Sequence, residues 1–212
     1  MKPIKAIVFD MDGVLVDAKE WHYEAFNRAL RLFGHTVSRY DHLITYDGLP
    51  TRKKLEMLTK ERGLPSQLHT LINQLKQAYT MQLIHAHCRP TFAHEYAFSR
   101  LKARGFRLGV ASNSIRSTVE AMMNYTKLAS YLDFMISNED VTHAKPHPEM
   151  YIRAATQAGV ATNEMLVVED NEVGITAARA AGSHVMVVKH VDEVNIDNID
   201  RHLVRCSNGA TL

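Results

Sequence analysis

The chain has 212 residues, of which 46% are hydrophobic and 23% charged, with a formal net charge of +2. That length fills one sizeable core and leaves room for a small second lobe if a segment is inserted. No basic block stands out and no stretch approaches the roughly 18 apolar residues that cross a bilayer, so neither nucleic acid nor a membrane is an expected partner.

The N-terminus, MKPIKAIVFDMDG, turns acidic after a brief apolar run and lacks the longer run and cleavage site of a secretory signal. Ile4–Asp10 reads as a buried parallel strand, with Gly13 in the following turn. Trp21, Ala25, Phe26, Ala29, Leu30 and Phe33 recur at helical spacing from Lys19, and Gly34 closes that run. Pro50 opens a second helix that Gly63 stops. Pro65 opens a third, with Leu68, Leu71, Ile72, Leu75, Tyr79, Leu83 and Ile84 on one face. Residues 19–88 thus read as helix after helix. In His85-Ala86-His87-Cys88, helical spacing sends the two histidines to different faces, which argues against a metal site there.

The pattern then alternates. A helix near 92–104 leads to the strand Phe106–Ala111, and one near 116–127 leads to Phe134–Ser137. A helix from Pro148 to Gly159 leads to Met165–Glu169, and one near 172–181 leads to His184–Val188. Met122 and Met123 read as core filler. Residues 206–212 read as a frayed tail. This βαβ series predicts an α/β fold: a doubly wound parallel sheet with helices on both faces, interrupted after its first strand by an α-helical insertion. The expected domains are a core of residues 1–15 and 89–212 and a helical domain of residues 16–88. Cys88 and Cys206, far apart in sequence, fit reduced thiols and a cytoplasmic location.

In open α/β sheets ligands sit beyond the carboxyl ends of the strands. Asp10 and Asp12 follow the first strand; Ser112, Asn113 and Ser114 follow the second. Lys145 lies beyond the third, and Glu169 and Asp170 end the fourth. Acidic groups gathered at one edge suit Mg2+, a hard cation that takes oxygen ligands. An Asp can attack phosphorus to form an aspartyl-phosphate, and a second Asp two residues on can serve as acid and base. Ser112, backbone N–H groups and Lys145 would neutralise the transferring oxygens. Singly, each piece is an ordinary turn, cap or solvated terminus; together and in order they predict phosphoryl transfer.

Phe9-Asp10-Met11-Asp12-Gly13-Val14-Leu15, Ser112-Asn113, Lys145-Pro146-x-Pro148 and Val168-Glu169-Asp170-Asn171-Glu172-x-Gly174-Ile175 jointly resemble the motifs of the haloacid dehalogenase (HAD) superfamily. The likeness is to its helical-cap subgroup of phosphoglycolate phosphatase-like and β-phosphoglucomutase-like enzymes, and it covers nearly the whole chain. It implies a Rossmann-like core with Asp10 as nucleophile and Mg2+ ligand. Asp12 would be the acid/base, with its carbonyl on the metal, and Asp170 and Glu169 would complete the metal site. Ser112, Asn113 and Lys145 would hold the phosphoryl group. The helical insertion becomes a cap, with Glu20, His22, Gly48 and Arg52 as substrate-facing candidates. Asp12 also argues for phosphate, because haloacid-cleaving members generally lack that second Asp.

Departures from the family pattern are Ala144 for a common Gly, His147 and Asn171 for a common Asp and Ser, and Ala18 for a common Ser or Thr. Ile115 replaces a mutase Lys, with Arg116 next to it, and Arg52 is offset by one from a mutase Arg. The expectation is a phosphatase for a small phosphorylated metabolite, a sugar or polyol phosphate, acting as a monomer or weak homodimer. Segments around Asp17–Leu30 and Tyr40–Leu58 also resemble phosphatases that accompany surface-polysaccharide and nucleotide-sugar synthesis. The alternatives are a phosphomutase and a non-enzymatic regulatory protein on the same fold.

Overall fold

Along β1 (Ala6–Phe9) every side chain is buried, as a strand covered on both faces requires. The computed structural model describes residues 2–207. Among them β1 is the centre of a five-stranded sheet of order β3-β2-β1-β4-β5, all neighbours parallel. The other strands are β2 (Arg107–Ala111), β3 (Phe134–Ile136), β4 (Met165–Glu169) and β5 (His184–Val187). They lie where the apolar runs predict them, one residue shorter at an end in β2, β3 and β5.

The chain divides into two compact units, Met1–Asp17 with Arg89–Leu212, and Ala18–Cys88. The second begins two residues after the expected boundary. In the first unit, α7 (Glu149–Ala158) and α8 (Glu172–Ala180) cover one face of the sheet, joining Met150, Tyr151, Ala154 and Ala177 to Ala6, Val8 and Val167. Side chains alternate along a strand, so Phe9 faces the other way, stacked on Phe98 of α5 (Phe92–Ala103) with centroids 4.7 Å apart. α6 (Arg116–Tyr125) packs against β3. A helix not read from the sequence, α9 (Ile196–Ser207), packs on α5 and β5. It buries Ile199, Leu203 and Cys206 at spacings of four and three, which makes one apolar stripe. Cys206 and Ser207 therefore close a helix and are not tail; residues 208–212 lie outside the described residues.

In the helical unit α1 (Lys19–Arg31) packs on α4 (His69–His87), and α3 (Thr51–Arg62) completes a core of Phe26, Leu30, Leu55, Leu58, Leu64 and Ile72. α1 stops two residues before Phe33, in a turn that ends on Gly34 at φ 75°. Buried Asn27 ties down the following loop, accepting from the Val37 N–H at 2.8 Å and donating to its carbonyl at 3.0 Å. A single turn, α2 (Arg39–Asp41), runs on into a π-helical segment, His42–Tyr46, that no apolar periodicity announces.

Candidate active site

Register decides which side chains meet. Phe9 is level with Val110 on one side and Val168 on the other, so the next residues, Asp10, Ala111 and Glu169, reach the carboxyl edge together. The Asp10 N–H donates to the Val168 carbonyl at 2.9 Å, which carries the ladder to the site itself. Beyond Asp10 the chain coils on itself. The N–H groups of Leu15 and Val16 both donate to the Met11 carbonyl, at 2.9 and 3.0 Å, and Gly13 N–H donates to Val16 at 2.7 Å. Gly13 takes φ 91°, a conformation that costs a residue without a Cβ little.

Lys145 is the hub. Its Nζ donates to Asp10 Oδ1 at 2.6 Å, Glu169 Oε1 at 2.7 Å and the Ala111 carbonyl at 2.8 Å, which uses all three ammonium protons. Asp10, Lys145 and Glu169 are all buried. Such a pair persists in a dry site only because its hydrogen bonds are complete. Burial works against the Lys145 charge, but Asp10 and Glu169 outweigh it and hold the ammonium above its ordinary pKa. Burial, followed by the charge of Glu169, pushes the Asp10 carboxyl well up, against the pull of Lys145.

The segment that carries Lys145 is clamped to the end of β2. Asn113 Oδ1 accepts from the Lys145 N–H at 3.1 Å, and Asn113 Nδ2 donates to its carbonyl at 3.3 Å. The Asn113 amide is thus engaged with the Lys145 backbone. Ser112 Oγ accepts from the Ser114 N–H at 3.1 Å, and Ser114 Oγ donates to Asp12 Oδ2 at 3.0 Å. Arg116, beside the position of the family's mutase Lys, pairs with Asp140, and its N–H donates to Glu139 at 2.7 Å.

Glu169 has every oxygen engaged. Oε1 also accepts from the Tyr151 hydroxyl at 2.6 Å, and Oε2 accepts from the Asp170 N–H at 3.1 Å. The start of α8 presses on this carboxylate, where a Cβ at Gly174 would overlap it. Asn171 caps α8 by accepting from the Gly174 N–H at 3.0 Å, and its Nδ2 donates to Asp170 Oδ1 at 3.0 Å.

Asp10, Glu169 and Asp170 each offer an oxygen within 4.8 Å of the others. Three carboxylates are the donor set of a hard cation, and with Asp12 they set four acidic groups against one ammonium. The residues present therefore fit Mg2+.

The core candidates Asp10, Asp12, Ser112, Asn113, Lys145, Glu169 and Asp170 converge at one sheet edge. Glu20, His22, Gly48 and Arg52 belong to the helical unit. There Glu20 pairs with Arg39 at 2.7 Å, and Arg52, largely exposed, pairs with Glu56 at 3.1 Å. His22 Nδ1 lies 3.1 Å from Lys76 Nζ, and Gly48 turns the chain at φ 69°. His85 contacts the Met81 carbonyl at 2.7 Å while the His87 ring faces Trp21 at 6.0 Å, so this pair does split as its spacing predicts. Tyr151 is the site residue that the sequence does not announce, since it sits at a core position of a helix. Ser114 is legible only as a third polar residue after β2, and Gly174 only as a motif position without a role of its own.

A family model for haloacid dehalogenase-like hydrolases matches residues 7–188. Pyrophosphatase PpaX of Anoxybacillus flavithermus is 30% identical over 185 residues, 85% of this chain and 81% of that protein. Fructose-1-phosphate phosphatase YqaB of Escherichia coli is 28% identical over 185 residues, 86% of this chain and 95% of that one. The crystal structure of β-phosphoglucomutase from Clostridium difficile superposes with a TM-score of 0.82, covering 95% of this chain and 98% of its own. At 20% identity that likeness is one of fold.

Proposed function

Because the chain belongs to the haloacid dehalogenase-like hydrolases and is a hydrolase of the phosphatase kind, we propose that it removes phosphate from a small phosphorylated metabolite, a sugar or polyol phosphate, using Mg2+ and an aspartyl-phosphate on Asp10. The observation that carries this reading is the separation of the two aspartates by their partners. Asp10 is buried against Lys145, whereas Asp12 is held by the hydroxyl of Ser114. One is thus equipped as a nucleophile beside a fixed positive charge, and the other as a proton carrier whose carboxylate is oriented by a hydroxyl.

Asp10 attacks phosphorus while Asp12 protonates the leaving oxygen. Asp12 then takes a proton from the water that cleaves the acyl-phosphate, and both aspartates return to their starting states. General acid–base help of this kind contributes about 10²–10⁴-fold. Lys145, fixed by Asn113 and Glu169, supplies charge next to the transferring oxygens, and Ser112 lines the same edge. Mg2+, held by Asp10, Asp170, Glu169 and the Asp12 carbonyl, would offset the repulsion between carboxylate and phosphate. The Ala18–Cys88 unit acts in this reading as a cap that excludes bulk water, with Glu20, His22, Gly48 and Arg52 as its substrate-facing residues. The enzyme works in the cytoplasm, where Cys88 and Cys206 remain thiols.

The relatives' names support a phosphate ester or anhydride as substrate, and the YqaB likeness favours a sugar phosphate. The test is phosphate release across sugar, polyol, amino-alcohol and nucleotide monophosphates and pyrophosphate, with and without Mg2+. Release from a sugar or polyol phosphate that needs Mg2+ and disappears in Asp10→Asn, with circular dichroism unchanged, is the expected result. Conversion of a hexose 1-phosphate to its 6-phosphate without phosphate release would replace this reading by a mutase.

A further inference from the structure

The segment that carries Lys145 inward carries a second set of donors outward. His143 and His147 lie two residues to either side of Lys145, and Glu149 opens α7. We propose that His143, His147 and Glu149 form a surface site for a divalent transition-metal ion, Zn2+ above all, distinct from the carboxylate site.

The geometry is close to what such an ion needs. One ligand atom from each residue lies within 4.8 Å of the other two. His143 Nδ1 is 3.0 Å from Glu149 Oε2, and His147 Nδ1 is 3.9 Å from the same oxygen. Two donors bound to tetrahedral Zn2+ at about 2.0–2.1 Å stand about 3.4 Å apart, so each of these pairs needs to move by about half an ångström. The two imidazole rings already lie side by side, 4.6 Å between centroids.

The chemistry separates this site from the other. Two imidazoles and one carboxylate match Zn2+, Ni2+, Co2+ and Cu2+, whereas Mg2+ prefers an all-oxygen set. The donors stand on a prepared frame. Glu149 Oε1 accepts from the Thr142 N–H at 2.7 Å and Oε2 from the His143 N–H at 2.9 Å, which fixes the carboxylate. The His147 N–H donates to the Ala144 carbonyl at 3.0 Å, and Pro146 and Pro148 restrict the backbone on either side. The backbone bonds of Glu149 account for that residue as a loop cap. The Glu149 N–H also donates to His147 Nδ1 at 3.3 Å, a long bond that the metal would replace, and nothing in the cap calls for His143, yet both Nδ1 atoms converge on Glu149 Oε2. The three side chains are partly exposed, at 63%, 51% and 31%, so an ion has open access. Once bound, it would tie residues 143, 147 and 149 together across the Lys145 segment.

The test uses the tag-free, full-length chain in millimolar Mg2+, with Zn2+ titrated by calorimetry and Co2+ followed by visible absorption. The expected result is a Zn2+-binding event that survives Asp170→Asn and weakens at least about tenfold in both His143→Ala and His147→Ala, with folding checked by circular dichroism. Co2+ should give the absorption of an imidazole-ligated ion in the parent and lose it in the double variant. Absence of Zn2+ binding under excess Mg2+, binding unchanged in the double variant, or binding lost in Asp170→Asn would each overturn the site. None of these readouts depends on phosphatase activity.

Discussion

Tyr151 and Glu169 meet through a 2.6 Å hydrogen bond in a part of the core closed to water. The phenol comes from the apolar face of α7 and gives Glu169 Oε1 its second donor beside Lys145. Burial, then the neighbouring charge of Glu169, pushes the Tyr151 hydroxyl well above its ordinary pKa, so it stays a donor at all working pH values. Tyr151→Phe keeps the shape and removes only that donor. A hydrogen bond to a charged group contributes about 1.5–3 kcal/mol, so urea denaturation should show a loss of that order. No change in the midpoint would mean that Lys145 alone satisfies Glu169 Oε1.

Asn113 links Lys145 to the end of β2 through both backbone groups of the lysine. Asn113→Ala removes both bonds and leaves the Lys145 side chain intact. We expect a stability loss of about 1–3 kcal/mol for two ordinary hydrogen bonds. Misplacing a reacting group by an ångström can cost about 10²-fold, so kcat should fall by about 10- to 100-fold with a smaller change in KM. Steady-state kinetics read the split.

Gly174 sits inside α8, where Ala would normally be favoured by about 1 kcal/mol. Its Cβ would overlap the Glu169 carboxylate, which cannot retreat without breaking its bonds to Lys145 and Tyr151. Gly174→Ala should therefore destabilise, by about 1–3 kcal/mol as for an overpacked core. Gly34→Ala is the control. It meets nothing within 4 Å and pays only for its positive φ, about 1–2 kcal/mol. The two differ in readout: only Gly174→Ala should also lower phosphate release.

His42 gives the stability a dependence on pH that lies outside the active site. Burial first, then the charges of Lys54, His22 and Lys76, lowers its pKa from 6.5 to about 3. The unfolded chain takes up this proton near pH 6.5, while the folded chain holds the ring neutral until about pH 3. The unfolded state thus binds more protons in that window, so stability should fall as pH drops from 6.5 towards 3. Above pH 6.5 the contribution is complete and flat. Urea titrations at several pH values should show a shallower slope for His42→Asn than for the parent.

What could be read in advance follows from where the information sits. β1 declares itself because four buried residues in a row end at a carboxylate, and a parallel strand needs nothing else to be recognised. Asp10, Asp12, Lys145 and Asp170 stand at strand ends or in turns, where spacing along the chain translates directly into position at the edge. Tyr151 was hidden because a tyrosine at an apolar position of a helix has the same spacing whether its hydroxyl meets water or Glu169. The Asn113 side chain grips a backbone more than thirty positions on, which local pattern cannot disclose. α9 went unread because its stripe is only three residues deep, and the π segment at His42–Tyr46 fits neither a 3.6 nor a 2.0 period.

The place of β1 at the centre of the sheet also bears on how the chain folds. Ala6 pairs with Arg107 and with Met165, about a hundred and about a hundred and sixty residues away. The Ala18–Cys88 unit, by contrast, closes its core within its own seventy or so residues. Long loops must be closed before such distant pairings reward the chain, and local contacts form sooner. The helical unit is therefore expected to gain protection from hydrogen exchange early in refolding. The amides of Ile7 and Phe9 should be among the last to do so, because their strand needs both distant partners, β2 and β4, in place before it is enclosed.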